Sequence, residues 1–191
     1  MKTKTIAKKR VFQGYFAVDE WIIEAEKFNG TWSTPMKREI FERGHAVGVI
    51  PYDPKTKQVV LIEQFRPGAL AVGLQNPWLI EIVAGIIEPG ESPETVAHRE
   101  LFEETGLRTK HLQEMAYYLV SPGGSSETLR LYLAHVDAPE NESFMGLHHE
   151  NEDIRVFSLG LEKIPALLKQ NQSPLNLTLL VALQWLLVNV K

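Results

Sequence analysis

The stretch from Ser92 to Gly106 constrains this chain most, because it carries the full punctuation of a helix and a charge pattern that a helix alone disfavours. Ser92 can cap the start, Pro93 suits the first helical position, Glu94 meets the positive end of the dipole, and Gly106 ends the run. Inside it, Glu100 and Glu104 lie one turn apart on one face, with Glu103 adjacent. Like charges stacked in this way repel. Glu103 and Glu104 also stand at the carbonyl end, where the dipole disfavours negative charge. One reading is a solvated acidic face. The other is a face that takes a hard divalent cation such as Mg²⁺, which binds carboxylate oxygens and keeps positions for water and phosphate oxygen. Acids at the wrong end of the dipole favour the second.

Around this helix the chain reads as strands and joints. His45 to Tyr52 and Gln58 to Phe65 are β-rich runs separated by the turn-like Asp53-Pro54-Lys55-Thr56-Lys57, which predicts a hairpin. Arg66 to Pro77 reads as a loop and Trp78 to Ala84 as a strand. Further strands are expected at Glu114 to Val120, Thr128 to Val136 and Ile154 to Leu159, and helices at Leu161 to Gln170 and Leu175 to Val190. Before His45, Val11 to Ala25 and Met36 to Arg43 are strand candidates around Asn29-Gly30, with Lys2 to Arg10 as a solvated arm. The domain organisation predicted is a small β appendage over 1–43 and a main domain over 44–191, α+β in class.

Composition narrows the function classes. The length of 191 residues suits one medium domain with a small appendage. A net charge of −4 lacks the basic excess expected of a nucleic-acid binder. The absence of cysteine excludes disulfides, thiolate metal sites and a cysteine nucleophile. The apolar stretch Leu175 to Val190 is short for a membrane span and contains Asn176, Thr178, Gln184 and Asn189, so a buried helix is expected. No signal-like apolar run follows the basic start, and a cytoplasmic protein with no membrane partner is the expectation.

The positions Gly85, Glu91, Arg99, Glu100, Glu103, Glu104 and Gly106, with apolar Leu101 and Leu107, resemble the signature of the Nudix hydrolase family at every specified place. The resemblance implies an α/β/α sandwich with a mixed sheet and a metal-dependent cut of a diphosphate linkage. It implies Glu100 and Glu104 as principal ligands of Mg²⁺ or Mn²⁺, with more than one ion per site. Glu103 assists, the Ala84 carbonyl adds an oxygen, and Ile86 lies with the substrate-contacting residues. Arg99 and Glu91 would brace loop and helix by ion pairing.

Glu150-Asn151-Glu152-Asp153-Ile154-Arg155-Val156 reads alone as a solvated loop, but it also resembles the late loop of bacterial ADP-ribose pyrophosphatases in this family. That resemblance implies Glu150 as the base that activates water and Glu152 as a further metal ligand. A proline beyond the signature marks the same subgroup, and Pro122 stands there. The subgroup implies that Ser121, Pro122 and Gly123 line the terminal ribose site, with Glu127 nearby. Segments from Lys37 to Ala46 and from Val60 to Arg66 also look like this subgroup. Arg66, ending a strand, is a candidate grip on the diphosphate, with Arg38 and Arg43 as further candidates. In such enzymes an amino-terminal β region exchanges across a homodimer, and Tyr15 and Phe16 match the aromatics that stack on adenine, although half-buried strand aromatics explain them equally. The implied reaction is ADP-ribose to AMP and ribose 5-phosphate. GDP-mannose hydrolysis and a non-catalytic ADP-ribose-binding regulator are the alternatives.

Overall fold

Lysine and arginine side chains do not keep the amino-terminal segment out of regular structure in the computed structural model, which describes residues 1–147, 151–169 and 174–190. Strand β1 (Thr3–Gln13) pairs antiparallel with β2 (Ala17–Ala25), and β2 pairs antiparallel with β3 (Met36–Glu42), giving a three-stranded sheet. The solvated arm expected over Lys2 to Arg10 is thus corrected to a strand. Cross-strand charge pairing accounts for it: Lys4 with Glu24 at 3.7 Å, Lys8 with Asp19 at 3.0 Å, and Arg10 with Asp19. The Arg10 guanidinium, with Lys8, holds the Asp19 carboxyl down at about 2. The single strand expected over Val11 to Ala25 is divided because the chain reverses at Gly14, whose N–H donates to the Phe16 carbonyl at 2.8 Å.

These strands belong to one of two compact units, Met1–His45 with Tyr118–Thr128. The late segment is tied to β3 by its backbone. Phe41 N–H donates to the Gly124 carbonyl at 2.8 Å, and Ser126 N–H to the Phe41 carbonyl at 3.3 Å.

The other unit is Ala46–Tyr117 with Leu129–Lys191. Strands β4 (Ala46–Asp53) and β5 (Gln58–Phe65) form the predicted hairpin. Its turn is fixed by buried Asp53, which accepts the N–H groups of Lys55, Thr56 and Ala138 at 2.8, 3.4 and 3.1 Å. The expected loop after Arg66 contains a short helix, α1 (Pro67–Ala71), with proline at its start. The run from Trp78 to Ala84 is two strands, not one. β6 (Trp78–Glu81) pairs with β5, the chain then crosses over, and β7 (Val83–Ile86) pairs with β4. A continuous apolar run contains no mark of which neighbour each half will choose.

Helix α2 (Pro93–Thr105) follows the punctuation read from sequence: the Ser92 hydroxyl accepts the Thr95 N–H at 3.2 Å, and Gly106 N–H returns to the Phe102 carbonyl at 2.8 Å. Strands β8 (Leu112–Leu119), β9 (Thr128–His135), β10 (Ser143–Met145) and β11 (Ile154–Gly160) complete a sheet ordered β10-β11-β5-β4-β9-β8. β4 and β9 run parallel and the other registered pairs antiparallel, so the sheet is mixed, as expected. A 3₁₀ turn at Leu161–Lys163 leads into α3 (Ile164–Lys169); Gln170, where the expected helix ends, lies outside the described residues. Last comes α4 (Leu177–Asn189), capped by the Asn176 side chain on the Leu179 N–H at 2.7 Å.

Strand alternation sets the layers. Val47 and Val49 join Val96, Ala97 and Leu101 of α2 in one apolar cluster. Gly48, between them, points to the opposite face, where a Cβ would come within 3.1 Å of Thr178 on α4 and of Ile82. α2 and α4 therefore cover opposite faces of β4, which gives the α/β/α arrangement. The buried face of α4 is Leu179, Ala182, Leu183 and Leu186. Among the described residues no helix is long and apolar enough to cross a membrane.

Leu101 is wholly buried where α2 meets the sheet. Leu101→Ala should lower the unfolding free energy in urea titrations by about 2 to 5 kcal/mol, through lost burial and the cavity left behind. A change below about 0.5 kcal/mol, as for an exposed site, would contradict this packing.

Candidate active site

Glu100 and Glu104 do share a face of α2, half-buried at Glu100 and buried at Glu104. Glu104 is only 3% exposed, and its Oε2 accepts the Ala84 N–H from β7 at 3.1 Å. Glu100 lies directly over Gly85, so closely that any Cβ there would overlap its carboxylate. The glycine is thus required by close approach of helix to strand. Arg99 braces the far side. Its Nη1 donates to Glu100 Oε1 at 2.8 Å and Glu103 Oε2 at 3.0 Å, and its Nη2 lies 3.6 Å from Glu91. Glu91 in turn accepts the Glu88 N–H at 3.1 Å, so the loop and helix are joined by the ion pair that the sequence resemblance implied.

Burial dominates the electrostatics. It pushes the Glu100 carboxyl up to about 7 against the pull of Arg99, and the charges on Glu103 and Glu152 add to the rise. Burial pushes the Glu104 carboxyl well above the usual carboxylate range, against the Ala84 N–H, while Glu100 and Glu152 raise it and Arg66 lowers it. Glu152 therefore belongs to the same field. Its Oε2 accepts the Leu147 N–H at 3.1 Å.

Among the described residues, no group of three or more His, Asp or Glu is arranged to hold a metal ion. Several of the relevant oxygens already accept protein donors: Glu104 from Ala84, Glu100 from Arg99, and Glu152 from Leu147. The donor chemistry nonetheless fits a hard divalent cation. Glu104 is buried with the half-buried Glu100 one turn away, the charge on Glu100 raises the Glu104 carboxyl, and this repulsion is of the kind that a cation relieves. Glu150, the expected base, lies outside the described residues.

Arg66 leads into α1 at the end of β5, held by the neighbouring strand. Its Nε and Nη2 donate to Glu81 Oε2 at 2.9 and 2.6 Å. The other oxygen of Glu81 accepts from Asn176 Nδ2 at 2.8 Å. Sequence reasoning missed Glu81 and Asn176 as parts of this network. The available signal was one carboxylate inside the apolar run Trp78 to Ala84, since a buried acid needs partners. Ile86 is the last residue of β7 and pairs with Ala46.

The remaining candidates lie in the first unit. Arg43 pairs with Glu127 at 3.3 Å and stands 5.6 Å over the Phe16 ring. Tyr15, Phe16 and Phe41 form a run of edge-to-face rings at 4.8 and 5.2 Å, with Tyr15 86% exposed. Arg38 donates to the Lys37 carbonyl at 2.7 Å. Ser121, Pro122 and Gly123 form the turn that leads to the β3 bridge, with the Ser121 carbonyl accepting the Ser125 N–H at 2.9 Å.

Comparison with known proteins places these features in a family context. The model of the NUDIX domain matches residues 42–177. The chain is 42% identical over 181 residues to the ADP-ribose pyrophosphatase of Escherichia coli strain K12, covering 95% of this chain and 86% of that one. It is 35% identical over 186 residues to the ADP-ribose pyrophosphatase of Haemophilus influenzae, at 96% and 85% coverage. Identity to the GDP-mannose pyrophosphatase of Cronobacter sakazakii is 32% over 168 residues, covering 86% of each. A crystal structure of an ADP compounds hydrolase superposes with a TM-score of 0.67 over 100% of this chain and 97% of that one, at 20% identity, which shows the shared fold.

The Glu100 shift sets a pH dependence. Its folded value of about 7 lies above the usual 4.5, so the stability it contributes is complete at acid pH and is lost as pH rises through 7. In metal-chelating buffer, the melting temperature of the protein should therefore fall more between about pH 5 and about pH 8 than that of Glu100→Gln, whose side chain does not titrate. Equal slopes for the two proteins would refute this environment for Glu100.

Proposed function

The chain belongs to the Nudix family, and from that premise we propose that it hydrolyses the diphosphate linkage of ADP-ribose, adding water to give AMP and ribose 5-phosphate. The observation that carries the reaction class is the carboxylate pair of α2, half-buried Glu100 closing on Gly85 and buried Glu104 meeting the Ala84 N–H. The choice of ADP-ribose is supported by the greater identity to the ADP-ribose pyrophosphatases than to the GDP-mannose pyrophosphatase. GDP-mannose is the second reading, favoured by that same relative and by nothing in the buried face of α2.

Glu100, Glu104, the Ala84 carbonyl and Glu152 are the proposed ligands for Mg²⁺ or Mn²⁺, with more than one ion per site. When bound, such ions would neutralise the diphosphate and ready a water for attack. Glu150 is the proposed base that takes that water's proton. Glu103, fixed by Arg99, is the proposed assistant to Glu100 and Glu104. Arg66 presents to the diphosphate the guanidinium edge that Glu81 leaves open, since Glu81 occupies only Nε and one side of Nη2. Ile86, beside the Ala84 and Gly85 backbone, is carried forward as a substrate contact.

In the first unit, the exposed ring of Tyr15 with Phe16 is the proposed stacking surface for the base. Arg38, Arg43, Glu127 and the turn at Ser121, Pro122 and Gly123 are the proposed polar contacts. We further propose that residues 1–43 build a homodimer. β1 is exposed along all of its length, on both faces, which suits a strand that a second copy covers. A cytoplasmic site of action is part of the same proposal.

Purified protein with Mg²⁺ should convert ADP-ribose to equal amounts of AMP and ribose 5-phosphate, measured by chromatography beside GDP-mannose and other nucleoside diphosphate sugars. Clear turnover of GDP-mannose without AMP from ADP-ribose would overturn the substrate. Glu100→Gln should keep the fold by circular dichroism and lose more activity than the 10- to 100-fold typical of an outer-shell partner. Undiminished turnover in that variant would remove Glu100 from the chemistry.

A further inference from the structure

We propose that Glu81 is a positioning residue that fixes the Arg66 guanidinium by anchoring it to the first turn of α4 through Asn176. This rests on the reading of Arg66 as the diphosphate grip, and it adds residues outside the signature to the working parts of the enzyme.

The geometry is a chain of charge-assisted hydrogen bonds with no slack. Glu81 is 5% exposed, and its carboxylate divides its two oxygens between two partners. Oε2 accepts from Arg66 at both Nε and Nη2, and Oε1 accepts from Asn176 Nδ2 at 2.8 Å. Gln64 Nε2 approaches Oε2 from a third side at 3.4 Å. The Asn176 amide is itself immobilised, because its Oδ1 caps α4 on the Leu179 N–H at 2.7 Å. α4 is seated in turn by four wholly buried side chains and by Thr178 lying against the space above Gly48. The rigidity of a core helix thus reaches an arginine that stands just past the end of β5.

Only a carboxylate can serve at this place. Arg66 and Asn176 both offer N–H groups, so the residue between them must accept on both sides. Glutamine would turn its NH₂ toward one of two donors whichever way it rotated. Apolar residues would leave the guanidinium without a partner on its inner edge. An arginine side chain has many rotamers, and holding one of them in advance lowers the entropy lost when an anion binds. Because the inner edge is occupied, the donors that remain point away from Glu81.

The test is a double-mutant cycle on the full chain, with ADP-ribose binding measured by calorimetry in chelating buffer so that no turnover occurs, and with melting temperature as the check of folding. Glu81→Gln should weaken binding about tenfold, the scale of one charge-assisted hydrogen bond. In the Arg66→Ala background the same substitution should have no further effect, because Glu81 acts through Arg66. A tenfold loss that persists in that background would overturn the proposal. If Glu81→Gln does not fold, Asn176→Ala decides. Weaker binding that disappears in the Arg66→Ala background supports the link, and unchanged binding overturns it. Should Arg66→Ala bind like the unaltered protein, the diphosphate grip itself fails, a result distinct from additivity in the cycle.

Discussion

Two acidic side chains on one face of α2, Glu104 buried and Glu100 half-buried, are the constraint on which the rest of this structure turns. Removing Glu100 and Glu104 from water raises their free energy unless donors or cations meet them. The surrounding sequence answers that demand locally. Gly85 has no side chain to compete with Glu100, the Ala84 N–H meets Glu104, and Arg99 joins Glu100, Glu103 and Glu91. β7 can supply these backbone groups only because the chain leaves β5 after Glu81 and joins β4 at Val83. The split strand, which has no sequence signature, is therefore a requirement of the site.

A second polar network supports the other end of the same strand pair. Glu81 lies just before the crossover and Ala84 just after it, with the wholly buried Ile82 and Val83 between them. One flank of the crossover thus holds Arg66 and reaches α4 through Asn176, while the other holds Glu104 on α2. Helices on opposite faces of the sheet are connected through the four residues from Glu81 to Ala84. The positive charge of Arg66 also lowers the Glu104 carboxyl, so the two networks share one electrostatic field.

Much of this was legible where the information is local. The ends of α2, the β4–β5 turn and the face shared by Glu100 and Glu104 follow from residues a few positions apart, and all three appear in the structure. β1 was misread because its lysines and arginine are stabilised by Asp19 and Glu24, partners that only the folded register supplies. The turn of helix after Arg66 carries no distinguishing mark in the sequence, because Pro, Gly and Ala suit loop or helix start alike. Glu81 was hidden within an apolar run, and its partners Arg66 and Asn176 are distant in sequence. The signature thus marks the residues proposed to meet a metal, while the residues that hold the arginine in place are visible only through packing.

Glu104 is the most deeply buried member of the cluster. Titration of Mn²⁺ into the metal-free protein, followed by electron paramagnetic resonance, tests its proposed role as a ligand without reference to any substrate. Saturable binding to the unaltered protein, weakened in Glu104→Gln by at least the 10- to 100-fold that outer-shell changes produce, is the predicted result. Equal Mn²⁺ affinity in the two proteins, or no binding to either, would contradict the claim that this carboxylate pair holds a divalent cation.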